Sequence, residues 1–370
     1  MRAKLLLSCV VLAAIAVVSN VDAADWGLKK GNADLKSAGP LAFGPDGILL
    51  VGDTKAATVF AIDTGDASGE PAKASFNIKG LNEKIADAIG AGSQSVTIND
   101  VVVNPASGKV YVSASANDKP AIVRVDSSGT LSQVKLEGVG VAKVALPNAP
   151  EDKIVGEGRR RGNPRDESIT DLAYSDGKVL VSGVSPNPEG GRPLSIVREL
   201  AFPLTSADTG VNVEIYHGAH GGLENFSTVR TFVPFNIDGK PSVLAGFTCT
   251  PLVRFDLKSL KSDKPVRGTT VAELGNQNRP YDMIAYEKDG ETWLLMANDR
   301  RGVMKISTKD IGRSEGITER VGGGGVAGQK YETIKELKGV VQLDRLNDTQ
   351  AIILVQQEGG SQDLATIDLP

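Results

Sequence analysis

Two histidines and one cysteine, residue types that bind transition metals, lie within the 33 residues 217–249. His217 and His220 stand in the tetrapeptide H-G-A-H, and Cys249 stands in F-T-C-T-P. A set of two imidazoles and one thiolate suits copper or zinc. The alternative is that Cys249 packs as a small apolar residue while the histidines face solvent. The absence of a paired C-x-x-C spacing, which is typical of zinc sites, favours this alternative.

Three aspartates form a second candidate set. Asp100, Asp171 and Asp282 each open an apolar segment, in N-D-V-V-V, T-D-L-A-Y and Y-D-M-I-A-Y. If these segments line one channel, the carboxylates and Asn99 could hold a hard cation such as calcium. Alternatively, each aspartate accepts hydrogen bonds from backbone amides where its strand begins. Repulsion between converging carboxylates favours this second interpretation.

A third set is basic and could bind an anion, because guanidinium groups recognise carboxylate, phosphate or sulfate. The alternative is an ordinary solvated loop, since acidic residues flank the arginine run. The glycine run 322–325 lacks the lysine and serine or threonine that complete a phosphate-binding loop. The basic candidates are Arg159, Arg160, Arg161, Arg279, Arg300 and Arg301.

A repeated hairpin pattern indicates which elements position these residues. An apolar strand, a tight polar turn and an alternating strand recur six times, with turns near residues 46, 107, 176, 238, 289 and 347. A third strand follows each hairpin, and more polar fourth strands are predicted at 74–78, 132–136, 211–216, 270–274 and 331–337. Units of four strands at this spacing predict an all-β, six-bladed β-propeller of four-stranded antiparallel blades.

The last repeat stops at its third strand, whereas residues 25–36 precede the first repeat and have no other evident place. We therefore predict that this N-terminal strand completes the last blade and closes the ring, which removes an open sheet edge. Residues 24–370 are predicted to form a single propeller domain.

The first residues have the three-part form of a signal peptide: M-R-A-K, an apolar run from Leu5 to Val18, and a small-residue cleavage site after Ala23. The apolar run is shorter than the ~20 residues of a spanning helix, so we expect no membrane span after removal of residues 1–23. The predicted location is secreted or periplasmic. Only Cys249 then remains, which excludes an internal disulfide.

Composition narrows the class of partner. The chain has 41 basic and 45 acidic residues, and loss of Arg2, Lys4 and Asp22 leaves a net charge near −5. This balance argues against nucleic acid as a partner.

The hairpins L-A-F-G-P-D-G-I-L-L-V-G-D (41–53) and V-V-V-N-P-A-S-G-K-V-Y-V (101–112) resemble those of NHL and YVTN-type propeller repeats. Six-bladed relatives of this kind include the gluconolactonase group. That resemblance implies a channel metal held by acidic and amide side chains, for which Asn99, Asp100, Asp171 and Asp282 are the nearest candidates.

Two functions are therefore expected from the sequence. The first is an exported propeller that binds a small molecule or a protein on its loop-rich channel face. The second is a metal-dependent enzyme, either a lactonase-like hydrolase with a channel cation or an enzyme with a copper or zinc site at His217, His220 and Cys249.

Overall fold

The computed structural model describes residues 26–92, 95–158, 161–313 and 315–370, and the described strands form six sheets. The predicted signal peptide 1–23 lies outside the described residues, as do Arg159 and Arg160. The six sheets are antiparallel four-stranded blades in a propeller ring, as the hairpin repeats predicted. No helix in the described part is long and apolar enough to cross a bilayer.

The strands are numbered in chain order: β1 (Lys29–Gly31), β2 (Leu41–Phe43), β3 (Ile48–Asp53), β4 (Thr58–Asp63), β5 (Asn77–Ile78), β6 (Val96–Val103), β7 (Val110–Ala116), β8 (Lys119–Val125), β9 (Leu131–Gln133), β10 (Val139–Ala145), β11 (Asp171–Ser175), β12 (Lys178–Ser185), β13 (Leu194–Ala201), β14 (Val211–His217), β15 (Gly222–Glu224), β16 (Val229–Ile237), β17 (Lys240–Phe247), β18 (Pro251–Asp256), β19 (Val266–Arg267), β20 (Thr269–Leu274), β21 (Pro280–Lys288), β22 (Glu291–Asn298), β23 (Val303–Ser307), β24 (Val326–Gly328), β25 (Tyr331–Ile334), β26 (Val340–Arg345), β27 (Gln350–Gln356) and β28 (Gln362–Asp368). The one described α-helix, α1, spans Leu81–Ala88. Short 3₁₀ turns occur at Pro45–Gly47, Pro71–Lys73, Pro164–Glu167 and Ser259–Lys261.

Each blade runs from an inner strand at the channel to an outer strand at the rim. Blade 1 is β2-β3-β4-β10, blade 2 is β6-β7-β8-β9 and blade 3 is β11-β12-β13-β14. Blade 4 is β16-β17-β18-β20, blade 5 is β21-β22-β23-β25 and blade 6 is β26-β27-β28-β5. Edge strands extend three of them: β1 joins blade 1, β15 and β19 join blade 3, and β24 joins blade 4.

The order of blades around the ring differs from their order in the chain. The inner strand β2 contacts β6 on one side and β11 on the other, while β6 also contacts β26. Blade 2 therefore lies between blades 6 and 1, and the ring order is 2-1-3-4-5-6. The chain reaches this order because it leaves blade 1 after three strands, adds β5 to blade 6, builds blade 2, and then returns β10 to blade 1.

The prediction that residues 25–36 complete the last blade is wrong. β1 pairs with β10 in blade 1, and blade 6 is completed by β5 through the pairs Leu364–Ile78 and Ala365–Asn77. The predicted fourth strand at 74–78 is thus real but belongs to blade 6. The physical reason is that an unpaired edge strand can pair with any extended segment within reach, and the segment 64–76 between β4 and β5 carries the chain to blade 6.

The core lies between neighbouring blades. Within the described residues, six apolar clusters each join two adjacent sheets, which agrees with the ring order. Strands such as β3 are buried along their whole length because both faces pack on other sheets. This packing makes the propeller a firm support for the loops at the channel mouth.

Candidate functional site

The central channel contains four aspartates, one on each of four inner strands. Asp100, Asp171 and Asp282 converge, as the channel interpretation required, and Asp344 on β26 joins them. They line a cavity of about 730 Å³ that opens towards the C-terminal ends of the inner strands. Asp344 was missed from the sequence because it lies two residues further along its strand than the others, although a spacing of two keeps it on the same strand face.

Each aspartate links two blades through backbone hydrogen bonds. Oδ1 of Asp171 accepts the N–H of Leu172 at 2.7 Å, and its Oδ2 accepts the N–H of Phe232 on the next blade at 2.7 Å. The other three make the same pair of bonds at 2.7–2.9 Å, joining β6 to β2, β21 to β26 and β26 to β6. The backbone-capping interpretation of these aspartates therefore describes their geometry.

The pKa values of the four carboxyl groups are raised above the ordinary value of aspartate. Burial raises the pKa of Asp171 to about 7 and that of Asp344 to about 6, and it raises the pKa of Asp100 and Asp282 well above the usual range. Repulsion between the carboxylates adds to the shift. No lysine or arginine of the described residues forms an ion pair with any of the four.

Two amide side chains lie near this ring. Asn99 donates to the Ala38 carbonyl at 2.8 Å and lines the mouth of the channel rather than the ring itself. With its amide nitrogen turned inwards, Gln342 donates to Asp282 Oδ2 at 2.8 Å and to Asp100 Oδ1 at 3.1 Å. Gln342, rather than Asn99, is therefore the amide side chain that contacts the aspartates.

The two histidines and the cysteine meet on the opposite face of the ring, as their strand positions predicted. His217 ends β14, His220 lies in the following turn, and Cys249 lies between β17 and β18 of the next blade. One ligand atom from each of the three residues lies within 4.8 Å of the others. His217 is fully buried, whereas the side chain of His220 is 53% exposed and Cys249 is partly exposed.

A single carboxylate orients both histidines. Glu224 accepts from Nδ1 of His217 at 2.9 Å and from Nδ1 of His220 at 2.5 Å, and it also accepts from the Ser227 hydroxyl. The two rings consequently stack with centroids 3.8 Å apart. Glu224 leaves both Nε2 atoms free, and the buried Nε2 of His217 has the Cys249 thiol as its neighbour.

The charges in this cluster are coupled. Burial acts to lower the pKa of His217, but hydrogen bonding to Cys249 and Glu224 outweighs it and raises the pKa to about 9. Burial acts to raise the pKa of Glu224, but the two histidines and Ser227 lower it to about 2. Hydrogen bonding to His217 lowers the pKa of Cys249, which favours a thiolate.

The backbone at Cys249 and Thr250 adopts an unusual conformation. Cys249 and Thr250 both have positive φ, 71° and 68°, a region that β-branched residues such as threonine rarely occupy. The conformation is held by the bond from Cys249 N to Asn278 O at 2.9 Å and by the Thr250 hydroxyl on Gly275 O. Strain of this kind, over-determined by its surroundings, is common at functional sites.

The arrangement fits a transition metal. Zinc binds thiolate sulfur at about 2.3 Å and imidazole nitrogen at about 2.0–2.1 Å, so ligand atoms within 4.8 Å need to approach by only about 1 Å. The shared Glu224 supplies the carboxylate that typically fixes metal-binding imidazoles. Glu273, fully buried with one oxygen unpaired, adds negative charge near the histidines.

The described members of the predicted arginine set do not form one cluster. Arg279 lines a cavity at the channel mouth, and Arg161 is exposed on a separate loop. Arg300 is exposed, while Arg301 donates to the carbonyl of Asn276 at 3.3 Å. Arg230, which was not singled out from the sequence, lines the same mouth cavity as Arg279.

Glu224 and Glu273 were also missed from the sequence. Glu224 reaches the histidines because β15 folds back on β14, which pairs His217 with Gly222 and Ile215 with Glu224. The signal was the glycine-rich sequence H-G-A-H-G-G, which permits such a tight turn at Gly221, with φ of 72°. Glu273 has no comparable local signal, since its partner is the Gly218 backbone N–H 55 residues earlier.

Comparison with known proteins gives structural likeness only. No protein-family model and no curated protein matches the sequence, so the resemblance to NHL, YVTN and gluconolactonase propellers stays a prediction. Among solved structures, Drosophila Semaphorin 2a is similar at 9% identity and a TM-score of 0.43, covering 93% of this chain and 75% of that chain. Extracellular domains 1–2 of Drosophila Semaphorin 1b give 9% identity and 0.39, over 93% and 88%.

A third similar structure is the PQQ-bound aldose sugar dehydrogenase of Streptomyces coelicolor, with 13% identity and a TM-score of 0.28 over 92% of this chain and 96% of that chain. At these values the comparisons carry no conclusion about ligand or reaction. The propeller architecture rests on the strand pairing of this chain itself.

Proposed function

We propose that this protein is an exported, metal-dependent binding propeller that holds zinc or copper at His217, His220 and Cys249. The observation that supports the metal is the shared carboxylate of Glu224, which bonds Nδ1 of both histidines and leaves both Nε2 atoms for a ligand. A thiolate and two neutral imidazoles are a ligand set for zinc or copper, whereas calcium prefers oxygen ligands.

The site also has the openness that a binding function needs. A cavity of about 190 Å³ adjoins His220 and Cys249, and its wall includes Arg192 and Arg230. Three protein ligands would leave a position of the metal facing this cavity, as in zinc sites that bind a further molecule. The metal would thus serve as an attachment point for a ligand on the loop-rich face.

Metal analysis of the purified protein, stripped and then titrated with Zn²⁺ and Cu²⁺, tests the proposal. We expect one ion per chain in the wild type and at least about 100-fold weaker binding after Cys249→Ser, because the thiolate is the charged ligand. Glu224→Gln should weaken binding about 10- to 100-fold, the usual cost of losing such a supporting carboxylate.

Glu167→Gln is the matched control, since Glu167 lines the same small cavity but bonds neither histidine. It should leave the metal affinity unchanged. A Cys249→Ser variant that retains the ion, or a Glu224→Gln variant with wild-type affinity, would contradict the proposed site.

A second candidate function uses the same residues without metal. The thiol of Cys249, the imidazole of His217 and the carboxylate of Glu224 lie in the order of a nucleophile, a base and an orienting group. The stripped protein should then react with iodoacetamide at pH 7 faster than free cysteine, and His217→Ala should remove this advantage. Protection of the thiol by added Zn²⁺ would favour the metal, whereas fast alkylation without any metal binding would favour the nucleophile.

A further inference from the structure

A separate cavity of about 580 Å³ lies at the channel mouth, on the face that carries the histidines. Three of the side chains that line it stand at β-bulges, where one extra residue interrupts the pairing of the two inner strands of a blade. These residues are Asn99, Arg230 and Tyr281. Because a bulge redirects a side chain that would otherwise follow the strand alternation, three blades direct polar groups to one place.

Two guanidinium groups, those of Arg230 and Arg279, line this cavity and differ in their ionic partners among the described residues. Arg230 is fixed by Glu167, 2.7 Å from its Nη1, and by the Thr248 hydroxyl, 2.8 Å from its Nε. The Arg279 side chain forms no ion pair with any described residue, although its backbone N–H donates to Asp299. Burial and the nearby charge of Arg230 lower the pKa of Arg279, so the two cations repel each other.

We propose that the mouth cavity binds the carboxylate of a small organic acid between Arg279 and Arg230. A carboxylate placed there would neutralise the repulsion and accept the parallel N–H bonds that a guanidinium fork offers. The volume suits a molecule of ordinary metabolite size. This site goes beyond the metal site and does not require it.

The charge balance favours a carboxylate over a phosphate. Glu167 already neutralises Arg230, and Asp166 and Asp118 also line the cavity, the latter paired with Lys55. The three cations and three carboxylates that line the cavity sum to zero, and Arg279 is the cation among them that forms no ion pair with a described residue. A singly charged carboxylate matches it, whereas a doubly charged phosphate would face these carboxylates with an uncompensated charge.

Arg230 also lines the smaller cavity beside Cys249, and Glu167 does the same. The two cavities thus share a wall, and a bound acid at the mouth would lie next to the proposed metal site. An organic acid bound at the mouth would therefore lie close enough to approach a ligand held by the proposed metal. Binding at each site can still be measured in the absence of the other ligand.

Calorimetry on the chelator-treated, metal-free protein tests this proposal, with propionate and benzoate as singly charged probes. Propionamide and benzamide serve as uncharged counterparts, and inorganic phosphate serves as the dianion. We expect at least one acid to bind with a millimolar or lower dissociation constant, its amide not to bind, and Arg279→Gln to weaken binding at least about 10-fold.

Arg300→Gln is the matched control, because Arg300 is an exposed arginine of a neighbouring loop outside the cavity. It should bind the acid like the wild type. Arg279→Gln removes an exposed side chain without an ion pair, so it should fold normally and retain zinc affinity.

Three results would overturn the carboxylate site: no binding of either acid at about 10 mM, unchanged binding by Arg279→Gln, or phosphate binding more tightly than both acids. None of them bears on the metal titration, which uses other residues and another ligand.

Discussion

The free energy of unfolding of the metal-free protein should fall by several kcal/mol as the pH rises from about 4.5 to about 7.5. A difference of one pKa unit between the folded and unfolded states is worth about 1.4 kcal/mol, and two channel aspartates differ by more than that. Burial raises the pKa of Asp171 to about 7 and of Asp344 to about 6, whereas an aspartate in the unfolded chain titrates near 3.8. In this window the folded state holds protons that the unfolded state has released. Its stability is therefore fully present below about pH 4 and is lost as the pH rises through the folded-state values.

Opposite shifts confine this effect to the stated window. Hydrogen bonding to Lys109, Ser107 and Tyr111 overcomes burial and lowers the pKa of Asp66, and contacts with the histidines and Ser227 lower that of Glu224. Stability from these two groups is lost only as the pH falls below their ordinary range. Maximum stability is consequently expected near pH 4 to 4.5.

Urea unfolding of wild type and Asp171→Asn at several pH values measures the effect. The variant should show a clearly shallower pH dependence, because it lacks one of the titrating groups. It should also be destabilised by about 1–3 kcal/mol at low pH, since an amide N–H₂ would face a backbone N–H. Asp176→Asn, in the exposed turn of the same blade, is the matched control and should keep the wild-type slope. A flat wild-type profile would refute the assignment.

The same measurement tests the predicted channel calcium. If the four carboxylates hold a cation, added calcium should restore stability at pH 7.5 in the wild type and not in Asp171→Asn. If they serve only to link blades, calcium should leave both profiles unchanged. The two backbone bonds that each carboxylate accepts leave it lone pairs for either role.

The blade hairpins could be predicted from sequence because each is local: an alternating strand, a turn with aspartate or glycine, and a second strand. Asp176 and Asp238, for example, stand with positive φ in such turns. The exchange of outer strands between blades 1 and 6 could not be predicted, because β5 is only two residues long and its partner is 286 or more residues away. Strand length and spacing contain no information about which of several open edges a short segment will join.

The residues of the candidate sites also divide into those that could be predicted from the sequence and those that could not. His217, His220 and Cys249 could be placed on one face because strand direction fixes the face on which each loop lies. Glu224 depends on a hairpin of three residues, and Arg230 and Tyr281 depend on bulges, which shift side chains by a single residue. A shift of one residue in strand register moves a side chain to the other face of the sheet, and the alternation of apolar and polar residues in the sequence does not show where such a shift occurs.

Phe76→Ala should destabilise the protein by about 3–5 kcal/mol, the usual cost of removing a buried phenylalanine. The side chain is 4% exposed and packs in the cluster between blades 2 and 6 with Leu81 of α1 and Leu364. Its backbone N–H donates to the Thr366 hydroxyl at 2.8 Å, and its carbonyl accepts from Thr366 N at 2.9 Å. Phe76 therefore fixes β5 to the last blade, and its loss leaves both a cavity and a weakened ring closure.

Leu28→Ala is the matched comparison, because Leu28 precedes the three-residue strand β1, which was expected from the sequence to close the ring. Leu28 is only partly buried, and β1 lies at the rim of blade 1. Its replacement should cost about 1–2 kcal/mol, since a partly buried leucine loses less apolar surface than a buried phenylalanine. Equal losses of unfolding free energy for Phe76→Ala and Leu28→Ala in urea titrations would show that β5 is not the closing strand, whereas a clear excess for Phe76→Ala is the result that the strand pairing requires.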